Sequence, residues 1–98
     1  MIFDPEELVR RYEKEIVMAS FLYYNSGKSI SKGKIVPESP ITDETYDSMV
    51  KFVVANWSMT SPEFRKRITK QELSASGFLL KATKKEIKAA FEWANKND

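Results

Sequence analysis

The chain has 98 residues, of which 42% are hydrophobic and 31% charged, and its formal net charge is +2. This composition is typical of one small globular domain, and no apolar run approaches the roughly 20 residues of a membrane span. Cysteine and histidine are both absent, which excludes disulfides, the usual zinc sites and nucleophiles activated by histidine. We therefore expect a single domain over residues 1–98, cytoplasmic and without a metal.

The first predicted helix begins at a capping signature and ends before a polar loop. Asp4 can cap it, and Pro5 suits the first helical position. We expect it to run to about Tyr24 and to be followed by loop 25–41, which is either irregular throughout or contains a short strand at 34–36. One apolar stripe is spaced by three and four residues and predicts the buried face: Val9, Tyr12, Ile16, Ala19 and Tyr23.

Three further helices follow, each behind its own capping residue. Thr42 or Asp43 begins the second, Ser61 the third, and the capping box 83–86 the fourth. The second helix is predicted to bury Tyr46, Met49, Val50, Val53 and Trp57. The third should bury Phe64 and Ile68 and end near 74–77, and the fourth should bury Ile87, Ala90, Phe91 and Ala94.

The pattern as a whole predicts a mainly α fold with about four helices and a helical hairpin in its N-terminal half. Residues 78–80 are apolar and follow a glycine, so they can be extended. Such a segment would pair with Ile35 in a small two-stranded ribbon.

The charges are unevenly distributed, because residues 1–50 carry a balance of −3 and residues 51–98 a balance of +5. A basic half predicts either contact with nucleic acid or ordinary solvated helix surfaces. The residues that would follow a phosphate backbone are Arg65, Lys66, Arg67, Lys70, Lys84, Lys85 and Lys88.

One cluster of side chains has a distinct chemical character. Tyr23 and Tyr24 end the first helix, while Asp43, Tyr46 and Asp47 begin the second. In an antiparallel helical hairpin these two ends lie side by side. Aromatic faces attract cations and carboxylates bind ribose hydroxyls, so the cluster suits a cationic ring that carries a sugar. The alternative is that the tyrosines are interhelix core and the aspartates are helix caps.

The same segments resemble a known family. Leu22-Tyr23-Tyr24, a Pro-containing loop and the run 41–49, Ile-Thr-Asp-Glu-Thr-Tyr-Asp-Ser-Met, are similar to the N-terminal helical subdomain of NAD-dependent DNA ligases. The resemblance covers about residues 5–57, with a longer loop and with Met49 in place of the family's leucine. It implies a subdomain that covers the nicotinamide mononucleotide half of NAD, with Tyr23, Tyr24, Asp43, Tyr46 and Asp47 as ligand-binding residues.

The family's adenylation motif, Lys-x-Asp-Gly, is absent from the chain. The leading hypothesis is therefore a non-catalytic protein that binds NAD or nicotinamide mononucleotide or assists a ligase-type partner. The alternatives are a nucleic-acid-associated protein that uses the basic half, and a ligand-free interaction module that docks a partner through exposed Phe3 or Trp93.

Overall fold

The computed structural model describes residues 4–31, 33–75 and 80–96. Within these ranges the mainly α class is confirmed, with five α-helices and one small antiparallel sheet. In chain order the elements are α1 (Pro5–Asn25), β1 (Ser29–Ser31), β2 (Lys34–Ile35), α2 (Asp43–Ala55), a 3₁₀ turn (Trp57–Met59), α3 (Pro62–Arg67), α4 (Lys70–Ala75) and α5 (Lys84–Lys96). None of the helices in the described ranges combines the length and apolarity needed to cross a bilayer.

Helix α1 forms where its local signals predict it and packs against two partners. The Asp4 carboxylate accepts hydrogen bonds from the backbone amides of Glu6 and Glu7 at 3.0 and 3.4 Å. Ile16 and Val17 belong to a large core cluster that includes three residues of α2: Met49, Val50 and Val53. Leu22, near the C-terminal end of α1, instead joins a second cluster with Ala90 and Ala94 of α5. Two faces of α1 therefore contribute side chains to the hydrophobic core.

The predicted ribbon exists, and within it Ile35 lies opposite Ser29 of β1. The predicted pairing of Ile35 with residues 78–80 stays a prediction, because it involves residues outside the described ranges. Gly33, between the strands, has a positive φ of 79° that suits a tight turn. A hairpin closed over a few residues costs less chain entropy than a pairing across half the chain. Phe78 and Leu79 lie outside the described residues, and Leu80 is buried in the large cluster without belonging to a strand.

The single third helix predicted from the sequence is two short helices, α3 and α4. Ile68 has extended backbone angles and separates them. Thr69 then starts a new capping box, because its hydroxyl accepts from the amide of Glu72 at 3.1 Å and the Glu72 carboxylate accepts from the amide of Thr69 at 2.9 Å. Phe64 and Ile68 are buried as expected. Trp57 was placed in the second helix, but α2 ends at Ala55.

A buried carboxylate ties α1 to the beginning of α3. Glu13 is 7% exposed, and its two carboxylate oxygens accept hydrogen bonds from the amide and the hydroxyl of Ser61, each at 2.8 Å. The Ser61 hydroxyl oxygen also caps α3 by accepting from the amide of Phe64 at 3.2 Å. One serine therefore satisfies the carboxylate and begins the helix.

We expect Ser61→Ala to lower the free energy of unfolding by about 1–3 kcal/mol, since it removes a helix cap and a donor to a buried carboxylate. Urea denaturation of both proteins measures this difference. Ser58→Ala is the matched control, because Ser58 is exposed and should change stability by less than about 0.5 kcal/mol. Equal losses of unfolding free energy in the two variants would contradict a stabilising contact between Glu13 and Ser61.

Candidate functional site

The C-terminal end of α1 and the N-terminal end of α2 border a pocket of about 270 Å³. Its lining contains all five side chains of the predicted cluster: Tyr23, Tyr24, Asp43, Tyr46 and Asp47. Ala19, Ser39, Ile41, Thr42 and Ala75 complete it. We call this site the tyrosine–aspartate pocket. The sequence pattern alone located these five residues around one volume.

Two side-chain contacts between α1 and α2 show how these helices are oriented. The hydroxyls of Ser20 and Tyr46 share a hydrogen bond at 2.8 Å. The rings of Tyr12 and Phe52 meet edge to face with centroids 5.6 Å apart. These two pairs advance along α1 while they recede along α2, so the helices are antiparallel.

Tyr46 is held in place as a neutral phenol. Burial raises its pKa, and the hydrogen bond with Ser20 offsets only part of that effect. The nearby Tyr24 and Asp47 raise the pKa further. Ser20 is 3% exposed and was missed by the sequence analysis. Its only signal was its position one turn after Ile16, on the side of the helix that meets α2.

The two consecutive tyrosines are not core residues. Tyr23 is 63% exposed, so its predicted place on the buried stripe was wrong, and Tyr24 is 38% exposed. Their rings stand nearly perpendicular with centroids 5.1 Å apart. An edge-to-face pair of this kind keeps the rings in a defined arrangement while leaving aromatic surface accessible to a ligand.

Asp43 and Asp47 lie on the exposed surface of the first turns of α2. Neither carboxylate has a hydrogen bond or ion pair with any residue that the structure describes. The helix cap is Thr42, whose hydroxyl accepts from the amide of Thr45 at 3.1 Å. The predicted alternative of aspartate caps is thus replaced by a threonine cap and two available carboxylates. No Lys or Arg is found among the described residues that line the pocket, so its charge favours a cation.

Two of the candidate nucleic-acid residues make hydrogen bonds within the fold, and the others are exposed to solvent. Arg67 donates two hydrogen bonds to the Glu86 carboxylate, at 2.8 and 3.0 Å, and one to the carbonyl of Lys81 at 2.6 Å. Arg65 donates to the carbonyl of Thr60 at 2.6 Å. Both arginines therefore stabilise the fold. The remaining candidates are exposed lysines: Lys66, Lys70, Lys84, Lys85 and Lys88. Nucleic-acid binding stays a prediction.

Of the two residues proposed for a ligand-free docking surface, the described ranges contain only Trp93. Trp93, predicted to be exposed, is partly buried against the cluster of Leu22, Ala90 and Ala94. Phe3 lies outside the described residues.

No family model, curated protein or solved structure matches this chain. The resemblance to the ligase subdomain therefore remains a prediction that rests on residues 22–24 and 41–49.

We expect Tyr46→Phe to lower the free energy of unfolding by about 0.5–1.5 kcal/mol, because the buried Ser20 hydroxyl loses its partner. Tyr23→Phe is the control, since it removes the same atom from an exposed ring and should be nearly neutral. Chemical denaturation monitored by tryptophan fluorescence compares the three proteins. If Tyr46→Phe did not change the free energy of unfolding, the hydrogen bond between Ser20 and Tyr46 would not stabilise the contact between α1 and α2.

The Arg67–Glu86 pair predicts a dependence of stability on pH. Burial by itself would raise the pKa of Glu86, but hydrogen bonds from Arg67 and Thr83 outweigh it, so the pKa lies below its ordinary value of 4.5. The resulting stabilisation is present above that ordinary value and is lost as pH falls through the lowered pKa of the folded protein.

Glu86→Gln should therefore be less stable than the parent protein by about 0.5–1 kcal/mol at neutral pH. The two should converge as pH falls through the lowered pKa of Glu86, which urea denaturation across an acid pH series measures. Glu38→Gln, at an exposed carboxylate in the loop before α2, should not reproduce this convergence. If the free energies of unfolding of Glu86→Gln and the parent protein differed by the same amount at every pH, the lowered pKa of Glu86 would not be the cause of the difference.

Proposed function

We propose that this protein binds a nicotinamide nucleotide in the tyrosine–aspartate pocket. The observation that carries the proposal is that accessible tyrosine rings line one small pocket together with two carboxylates that have no hydrogen-bond or ion-pair partner among the described residues. Aromatic faces attract the positively charged nicotinamide ring, and the neighbouring carboxylates add to that attraction. Carboxylates also accept hydrogen bonds from ribose hydroxyls, as in many dinucleotide sites.

The size of the pocket favours the smaller half of NAD. Ligand pockets usually enclose roughly 300–1,000 Å³, and this one, at about 270 Å³, is at the small end. It suits a mononucleoside or mononucleotide, with any adenylate half outside. Because no basic residue is found among its described lining, we expect a phosphate to point toward solvent and to contribute little.

We propose a non-catalytic role, in which the pocket presents the nicotinamide half to a partner that performs the chemistry. The resemblance to the ligase subdomain supports this, because the resembling segment supplies the same five residues. In that family a separate domain with the Lys-x-Asp-Gly motif accepts the adenylate, and this sequence lacks the motif. A ligase-type partner would have to provide it.

The test is a titration of the isotope-labelled chain, followed by amide NMR, with nicotinamide riboside, nicotinamide mononucleotide, NAD and AMP. We expect saturable shifts at Tyr46 and Asp47 with the three nicotinamide ligands. AMP should bind more weakly, because adenine carries no positive charge at neutral pH. The riboside should bind at least as well as the mononucleotide, since the described residues of the pocket lining offer no cation to a phosphate.

Asp47→Asn should weaken nicotinamide mononucleotide binding about tenfold, the cost of about 1.4 kcal/mol in a charge-assisted interaction. Glu44→Gln is the matched control, because Glu44 is exposed on the same helix and does not line the pocket. Its affinity should equal that of the parent protein. An absence of shifts at millimolar ligand, or equal weakening in both variants, would refute the proposal.

A further inference from the structure

A second concave surface lies between the β1–β2 hairpin and α5, away from the tyrosine–aspartate pocket. It is an open groove of about 690 Å³, which we call the hairpin groove. Its apolar lining consists of Ile30, Ile35, Pro37, Ile87 and Phe91. Three lysines also line it: Lys34, Lys84 and Lys88.

Two apolar side chains of the hairpin leave much of the groove's apolar surface accessible. Ile35 is 64% exposed and Ile30 is 42% exposed. On α5, Ile87 and Phe91 are four residues apart and half-buried, while Ala90 and Ala94 face Leu22 in the core. Phe91 also packs against that core cluster, so part of its ring faces the domain and part lines the groove beside Ile87. Clustered exposed apolar side chains of this kind mark interaction sites.

The charges of the groove are one-sided. Lys34, Lys84 and Lys88 form no ion pair within the described ranges 4–31, 33–75 and 80–96. Glu92 is the single carboxylate among the described residues of the lining. The surface thus combines an aliphatic floor with available positive charge, which complements apolar and acidic groups presented together.

We propose that the hairpin groove binds an amphipathic protein segment that presents leucine- or phenylalanine-like side chains between glutamates or aspartates. The apolar residues of the segment would cover Ile35 and Phe91, and its carboxylates would pair with the three lysines, as in helix-in-groove recognition. The aliphatic floor decides against nucleic acid, because a phosphate backbone gains nothing from isoleucines and base stacking needs exposed aromatic rings. Phe91 is only half-exposed, and the arginines Arg65 and Arg67 are engaged within the fold.

The experiment uses the full chain, labelled for NMR, and four probes. The first is a synthetic amphipathic peptide of leucine and glutamate. The second replaces each glutamate by lysine, the third replaces each leucine by serine, and the fourth is a short DNA duplex. We expect saturable shifts at Ile35, Lys84 and Phe91 with the leucine–glutamate peptide. The two altered peptides and the duplex should bind at least tenfold more weakly.

Two variants test the groove directly. Lys84→Glu/Lys88→Glu should weaken binding of the leucine–glutamate peptide about tenfold or more, because two attractive charges become repulsive. Lys70→Glu/Lys85→Glu is the matched control, since it makes the same change in net charge at exposed lysines that do not line the groove. Ile35→Ser, at a largely exposed position, should weaken binding roughly fivefold through lost apolar contact.

Amide spectra of the free variants, with shifts confined to the substituted positions, establish that they fold as the parent protein does. Equal binding of the glutamate and lysine peptides would overturn the proposal, as would an absence of shifts at Ile35 and Phe91. Tighter binding of the duplex than of the peptide at these residues would overturn it in favour of nucleic acid.

Discussion

The packing of α1 against two different partners is the constraint on which the rest of the structure depends. Ile16 and Val17 enter the cluster shared with α2, whereas Leu22 enters the one shared with α5. A third attachment, from Glu13 to Ser61, fixes where α3 begins. In a domain of this size the net stability is a small difference between large opposing terms. A helix that contacts three other elements therefore contributes much of that stability.

This arrangement also explains why the tyrosine–aspartate pocket is at the end of α1. The helix ends at Asn25, and Gly27, with a φ of 82°, turns the chain into the hairpin. The amide of Gly27 then donates to the carbonyl of Val36 at 2.9 Å, which holds the hairpin against the end of the helix. Tyr23 and Tyr24 consequently remain exposed beside the first turns of α2, and the Ser20–Tyr46 pair keeps the two helix ends in register.

The two concave surfaces have opposite electrostatic character. The tyrosine–aspartate pocket contains two carboxylates and no base within its described lining, while the hairpin groove contains three lysines and one glutamate. The charge difference between the halves of the sequence only approximates this division, because Lys34 comes from the acidic half and joins two lysines of the basic half. The positively charged ring proposed for the pocket and the acidic protein segment proposed for the groove would therefore bind at separate places.

Features that depend on residues close together in the chain could be predicted from the sequence. The caps at Asp4, Thr42 and Ser61 and the box from Thr83 to Glu86 are satisfied within a few residues, so they could be predicted. The box at Thr69 has the same local signal, and it divides the single third helix that the apolar pattern predicts. The closeness of the tyrosines and aspartates followed from two adjacent helix ends in one hairpin.

Which side chains are covered and which stay accessible depends on the packing of segments that are distant in the chain. Glu13 is an ordinary surface acid by its pattern, yet it is buried because Ser61 reaches it from 48 positions away. Tyr23 continues the apolar stripe, yet it is 63% exposed. Ile35 pairs with its near neighbour in the chain because local closure costs the least entropy. Such outcomes depend on how distant segments pack, and periodicity along a single helix contains no information about that packing.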